Sequence, residues 1–500
     1  MNRRHSRAQD IGRYASVVPE WEDFLRSAGR REPTTLRVHA GRISPAELRF
    51  RLERQGFSLD PVEGMEDLLR VSEAPYPVSW TLEHWLGLFY LQQAVTGVAA
   101  LALGVEPGDR VLDLCAAPGG KTAHVAELTG PDGMVVAADW NEKRIRALLG
   151  NLYRMGHASV LVLSADGRVF PEGVLFDRVL VDAPCSAEGT LRRSGGVLPF
   201  QKDGFRARIA NVQEALLRRA VRLVRPGGTV LYVTCTFAPE ENEGVVARVL
   251  DREPVRLLPI ELELPHAPGL ARFGGTSFPS EMERAWRLYP HHLDSGGLFM
   301  ALLRRDHDPG PSPASAAREA WPEAPPAYSA VGAVREEGLR ALRDGLRSLE
   351  EDMGVAAERL AAERWMVRGD TAWVHGCGGW PVAVWEETGS RASDWRFVSV
   401  GLRAFRPGLA GRPRPTNDLL RRLGASLRDR VVQVGRGELL RTLEEGTAPA
   451  TGVSDGYVAL ALEGFVLGRA RVLGGRLVPE IPAGRARVLR EGLRVAEGVA

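Results

Sequence analysis

Val111-Leu-Asp-Leu-Cys-Ala-Ala-Pro-Gly-Gly-Lys-Thr122 begins as an apolar run, turns through small residues and continues as a helix-forming stretch. Small residues let backbone N–H groups approach a ligand closely. The same strand-then-helix alternation extends on both sides. Arg110–Leu114, Met134–Asp139, Val160–Ser164, Asp177–Asp182, Thr229–Cys235 and Leu298–Leu303 read as buried strands. Ile209, Val212, Leu216, Ala220 and Leu223 share one helix face, and Pro226-Gly227-Gly228 is the expected stop. This alternation predicts a Rossmann-like, doubly wound α/β domain over 76–306, with its ligand at the carboxyl ends of the strands. Asp139 ends the second strand twenty positions after Gly119, where a carboxylate meets ribose hydroxyls. Asp166 ends the third and can receive an adenine amino group.

Two ligands suit the quoted turn. A phosphate loop requires Gly-x4-Gly-Lys-Ser/Thr. Gly120-Lys121-Thr122 supplies its end, but Cys115 occupies the first glycine position. The other ligand is S-adenosylmethionine, which carries no phosphate and faces the turn with an amino acid and an adenosine.

The 500 residues carry a net charge of +2, with 26% charged and 44% apolar side chains, which excludes wholesale disorder. Lysine occurs only at positions 121, 143 and 202, so one of three lysines sits in the turn. Cys115, Cys185, Cys235 and Cys377 are too widely spaced for a disulfide framework or a cysteine-built zinc site, and no metal is expected. MNRRHSRAQD lacks the apolar core of a secretory signal, and Ala94–Val105 is too short to span a membrane. A cytoplasmic protein with no membrane partner is expected, as a monomer. Residues 401–500 hold 17 Arg against 10 Asp and Glu, and 183–225 hold nine basic against three acidic residues. Such local excesses fit a polyanionic partner or a solvated surface.

Asp182-Ala-Pro-Cys185-Ser-Ala-Glu-Gly189 follows the fourth strand and Thr234-Cys235-Thr236 closes the fifth, so both cysteines fall on the proposed ligand rim. A lone cysteine is usually a small buried apolar residue. Two at strand ends suit a specific reaction. Carbon 5 of cytosine is too electron-poor to attack a methyl sulfonium until a thiolate adds at carbon 6. A nearby carboxyl group steadies the charge that develops on the ring, and a second thiol can help release the product.

Asp113-Leu-Cys-Ala-Ala-Pro-Gly-Gly-Lys-Thr122, Asp182-Ala-Pro-Cys-Ser-Ala-Glu-Gly189 and Tyr232-Val-Thr-Cys-Thr-Phe-Ala-Pro-Glu-Glu-Asn-Glu243 resemble the two-cysteine RNA (cytosine-5)-methyltransferase family. The resemblance covers about 76–305. It implies that Cys235 is the nucleophile and that Cys185 assists its release. It also implies that Cys115, Ala116, Ala117, Pro118, Gly119, Gly120, Lys121, Asp139, Asp166 and Asp182 line the S-adenosylmethionine site. Asp182 additionally faces the target base. Arg144 resembles a further cofactor-side residue, with a plain helix surface as the alternative. Ala187 replaces the family's usual glycine, and Leu191-Arg-Arg-Ser194 stands where Phe-Arg-Lys-Asp is frequent.

Outside that region, Thr35-Leu-Arg-Val-His39 is similar to the family's Leu-Arg-Val-Asn segment, with His39 in place of asparagine. Residues 1–75 thus resemble a small N-terminal α/β RNA-binding domain. Asp308–Tyr328 is a proline-rich linker, and Leu339, Leu342, Leu346, Leu349 and Met353 form one helix face, so 307–365 reads as linker and helix. Val398–Leu409 and Arg414-Pro-Thr416 resemble the first C-terminal domain of the bacterial small-subunit ribosomal RNA methyltransferase F family, here 366–429. Gly456–Arg471 resembles its PUA-like RNA-binding module, here 430–500. The resemblance implies RNA as partner, 16S ribosomal RNA or the 30S subunit, with transfer RNA as the alternative within the family. From other classes, a P-loop NTPase and a non-catalytic ribosomal RNA-binding assembly factor remain.

Overall fold

The computed structural model describes residues 11–198, 204–306, 329–376, 395–408 and 413–496. Its central sheet contains β1 (Arg110–Asp113), β2 (Met134–Asp139), β3 (Val160–Ala165), β4 (Phe176–Asp182), β5 (Val224–Thr234), β6 (Trp286–Leu288) and β7 (Leu298–Arg305). The order is β6-β7-β5-β4-β1-β2-β3, with β1 to β5 parallel and β6 and β7 antiparallel additions. The parallel strands are apolar on both faces because helices cover both. Val111, Val135 and Val162 pack under α1 (Gly120–Leu128) and α2 (Glu142–Met155). Leu112, Val136 and Leu163 pack under α3 (Phe205–Leu223) and α4 (Glu243–Arg252). The fold is the Rossmann-like doubly wound one expected.

Local differences have physical causes. Helix α3 stops at Leu223 and β5 starts at Val224, so Pro226-Gly227-Gly228 lies inside the strand segment and does not end the helix. A register shift at Phe176/Arg178 accommodates it. The N-terminal sheet, ordered Ser58–Val62, Met65–Glu73, Thr34–Val38, Phe89–Leu91, reaches past the expected boundary at 75. Its last strand is three residues long, too short to show alternation, and is held by long-range pairing such as Leu36 with Leu91.

Downstream, Ser329–Val334, Arg364–Gly369, Thr371–His375, Leu402–Pro407 and Pro413–Pro415 form a five-stranded sheet. The expected division at 365/366 therefore cuts a strand. The helix Glu336–Glu351 packs on this sheet, and Gly345 brings it against the Phe405 ring. A second five-stranded sheet and two helices, Arg436–Glu445 and Ala483–Ala496, make the last module.

The described part of the Val398–Leu409 stretch is divided between two sheets. Trp395–Val400 joins the central sheet antiparallel to β3, while Leu402–Pro407 belongs to the module. Gly401 turns the chain between them at φ +104°, where a Cβ would stand 2.4 Å from the Val374 carbonyl oxygen. The last module and the N-terminal sheet share one core, in which Leu36, Leu48 and Phe89 pack with Val458, Leu460 and Leu489. The proline-rich segment, Lys202 and Cys377 lie outside the described residues. Among the described residues no helix is long and apolar enough to cross a membrane.

Candidate active site at the carboxyl edge

The turn after β1 is held from three sides. Asp113, almost fully buried, accepts hydrogen bonds from Thr122 Oγ1 at 2.7 Å and the Cys115 N–H at 3.3 Å. Burial pushes its carboxyl up to about 7. Asp139 accepts the Ala117 N–H at 3.3 Å through one oxygen and the Asn141 N–H at 2.9 Å through the other. Arg144 stands 3.4 Å from Asp139 and donates to the Ala117 carbonyl. Asn151 donates to the Pro118 carbonyl at 2.9 Å. Gly119 has φ +107°, and a Cβ there would lie 2.8 Å from a Leu148 methyl group. The backbone of Cys115–Gly120 thus lies close against α2, at the rim where Asp139 ends β2.

The second half of the site comes from the ends of β4 and β5. Cys185 Sγ and Cys235 Sγ are 3.4 Å apart. Lys121 Nζ donates to Asp182 at 2.8 Å, and both belong to the surroundings of Cys235. The thiols are unequal. Donation from Cys185 pulls the Cys235 thiol below the usual range, helped by the Lys121 charge. The same contact pushes Cys185 up, and burial adds to this. The loops are locked together by Glu188, a buried carboxylate. It accepts from Tyr14 at 2.6 Å, Arg206 at 2.8 Å and Thr236 at 3.1 Å. Ser186 and Thr236 hydroxyls meet at 2.7 Å, and the Gly189 N–H donates to the Cys235 carbonyl at 2.9 Å.

Residues 100–304 match the family model for the 16S rRNA methyltransferase RsmB/F. The solved methyltransferase homologue protein of Pyrococcus horikoshii is 32% identical, with TM-score 0.53 over 59% of this chain and 93% of that one. The chain belongs to the RsmB/F family. It is similar to the ribosomal RNA small subunit methyltransferase F of Klebsiella pneumoniae (strain 342), at 34% identity over 59% of this chain and 62% of that one. The human 28S rRNA (cytosine(4447)-C(5))-methyltransferase is 33% identical over 59% of this chain and 37% of its own length. The chain therefore spans only part of the curated relatives it matches.

Within this RsmB/F chain, the anticipated residues gather as follows. Cys115, Ala116, Ala117, Pro118, Gly119, Gly120, Lys121, Asp139 and Arg144 form one continuous wall, and Arg144 grips the turn. Lys121 is engaged by Asp182, which takes from the phosphate-loop reading the lysine it needs. Asp166 lies at the β3 end, but Arg168 occupies both its oxygens at 2.6–3.1 Å, so an adenine contact has to share it. Asp113 and Glu188 were missed. Both sit inside the quoted motifs, and their signal was an acidic residue in a segment otherwise small or apolar.

Proposed function

We propose that the chain transfers the methyl group of S-adenosylmethionine to C5 of a cytosine in ribosomal RNA, within the small-subunit 16S RNA. The observation that carries this reading is the pair of thiols 3.4 Å apart beside the Lys121–Asp182 ion pair. The donor set fits the cofactor. Asp139 stands at the end of β2 beside the Cys115–Gly120 backbone, and the lysine that a phosphate ligand would need is taken by Asp182. When bound, S-adenosylmethionine supplies an electrophilic methyl group.

Cys235 is the nucleophile. Its Sγ adds to C6, making C5 electron-rich enough to take the methyl group. Asp182, steadied by Lys121, faces the ring as charge develops. Bonding Cys235 to carbon removes the negative charge that kept Cys185 protonated. Cys185 then ionises more readily, as a base for the C5 proton must, and loss of that proton lets Cys235 leave. The target base is turned out of its RNA stack to reach this rim. Support for 16S RNA comes from the family's description and from the resemblance of the downstream modules to methyltransferase F.

The test is Cys185→Ala with ribosomal RNA and S-adenosylmethionine. A denaturation-resistant protein–RNA adduct should accumulate, and Cys235→Ala should abolish it. An inactive Cys185 variant without adduct would remove Cys185 from the release step. Bisulfite sequencing of ribosomal RNA from a deletion strain identifies the cytosine, and an unchanged 16S pattern would reject that substrate.

A further inference from the structure

A cavity of about 870 Å³ opens at the amino ends of the strands, on the sheet edge away from the thiols. His39 and Arg42 reach it from the N-terminal domain, Glu127 from the end of α1, and His157 from the turn before β3. The two C-terminal modules complete it. Arg42, Arg359, Arg364, Arg421 and Arg422 line it against three carboxylates. Those carboxylates are spoken for or exposed. Glu363 takes both Arg359 and Arg422 at 2.8 Å, Glu127 takes the buried Arg37, and Asp132 lies at the surface.

The remaining positive charge is crowded. Among the described residues, Arg42 and Arg364 have no carboxylate within ion-pair distance, and Arg42 donates to the Leu86 carbonyl at 2.8 Å. Arg42 and Arg422 flank the same glycine. The Gly156 carbonyl accepts from Arg422 at 3.4 Å, and a Cβ on Gly156 would lie 2.3 Å from Arg42 Nη2. Burial, then Arg421 and Arg422, pull the Arg42 guanidinium down to about 10. Arg421 is 9% exposed; its Nη2 is paired with Asp418, while its Nη1 has no partner. His157, 7% exposed, has its Nε2 3.4 Å from Glu127 Oε1, and neither atom has a hydrogen-bond partner among the described residues. Crowded, half-buried guanidiniums without a carboxylate and buried N–H donors without acceptors are costly, and an oxyanion in the cavity would offset both costs.

A dication suits it poorly. His39, Glu127 and His157 bring ligand atoms within 4.8 Å of one another, but the Glu127 charge is already bound by Arg37, and Arg42 faces both imidazoles. We propose that this junction binds a phosphate group, clasped by Arg42 and Arg421 with His157 as a further donor, while Arg422, held by Glu363 and the Gly156 carbonyl, adds only its charge. Planar guanidinium forks match phosphate oxygens. The phosphate belongs to an RNA backbone or to a free phosphate ester. The site stands independently of the reading of the thiol edge.

The experiment titrates the full chain with inorganic phosphate at constant ionic strength, balanced with chloride, and follows Tm. A saturable rise is expected, with affinity weakened about tenfold or more in Arg42→Met and Arg421→Met and S-adenosylmethionine binding unchanged. Arg364→Gln, which breaks no native ion pair, serves if the buried variants fail to fold. Phosphate that competes with a 16S RNA fragment assigns the site to the RNA backbone. Undiminished RNA affinity assigns it to a free ester. An equal Tm rise with chloride alone, or variants that respond as the wild type does, overturns the proposal. So does saturable zinc uptake that is lost in His157→Gln, with no response to phosphate.

Discussion

Cys185 and Cys235 are the same chemical group made unequal by their neighbours. Because Cys235 is held below the usual thiol range, it stays ionised to lower pH, and the acid limb of kcat/KM should fall correspondingly low. Lys121→Met removes a cation and leaves Asp182 uncompensated, and both changes raise the thiol. The acid limb should move to higher pH, as should the pH dependence of Cys235 alkylation by iodoacetamide; an unmoved limb would detach Lys121 from the nucleophile. Asp113 works in the opposite sense. Its folded value of about 7 exceeds the ordinary 3.8, so its contribution to stability is full below 3.8 and is lost as pH rises through 7. Asp113→Asn should therefore raise Tm relative to wild type more at pH 8 than at pH 5, by thermal melts of the ligand-free chain. The thiols were legible because a short motif precedes each, and both motifs sit at strand ends. Asp113 was not, because what perturbs it is enclosure by distant segments. At Asp166 the position at the strand end was legible but its pairing was not: its partner Arg168 is two residues away, and the sequence does not show that the pair closes.

The central strands were legible one by one because parallel strands covered on both faces read as unbroken apolar runs. Shorter pieces were not. Phe89–Leu91 and Trp395–Val400 acquire their meaning from what they pair with, 51 to 55 and 230 to 239 positions away. Gly401 marks the second case. Gly401→Val should place a side chain against the Val374 and Ala158 carbonyls and detach the Trp395–Val400 strand. Hydrogen exchange should then rise at Val160–Ala165, while β1 and β4 stay protected; uniform exchange would mean the edge strand is not a separate unit. The loop carrying Glu188 is tied as tightly. Glu188→Ala leaves the buried Tyr14 hydroxyl without its acceptor, at a cost of about 1–3 kcal/mol. Urea unfolding measures this directly.

For the whole molecule, the arginine excess of residues 401–500 overstated the free charge. Arg469 is committed to Glu480, Arg436 to Glu463 and Arg494 to Glu444. The boundaries were equally blurred, because the last module covers the N-terminal sheet. Gly492 lies so close to the Trp80 carbonyl that a Cβ would meet it at 1.9 Å. Deleting 430–500 should accordingly lower Tm and expose Leu36, Leu48 and Phe89 to a hydrophobic dye, and an unchanged melt would mean the two parts fold apart. The spliced edge strand sets an order of events during synthesis. A nascent chain can assemble β1 to β5 once residue 234 has emerged, yet the free edge of β3 waits for Trp395–Val400, and the first sheet waits for the last helix. Two sticky surfaces are therefore uncovered for much of translation. Trp395–Val400 closes the first and Ala483–Ala496 the second, and chains truncated before these segments should yield aggregates.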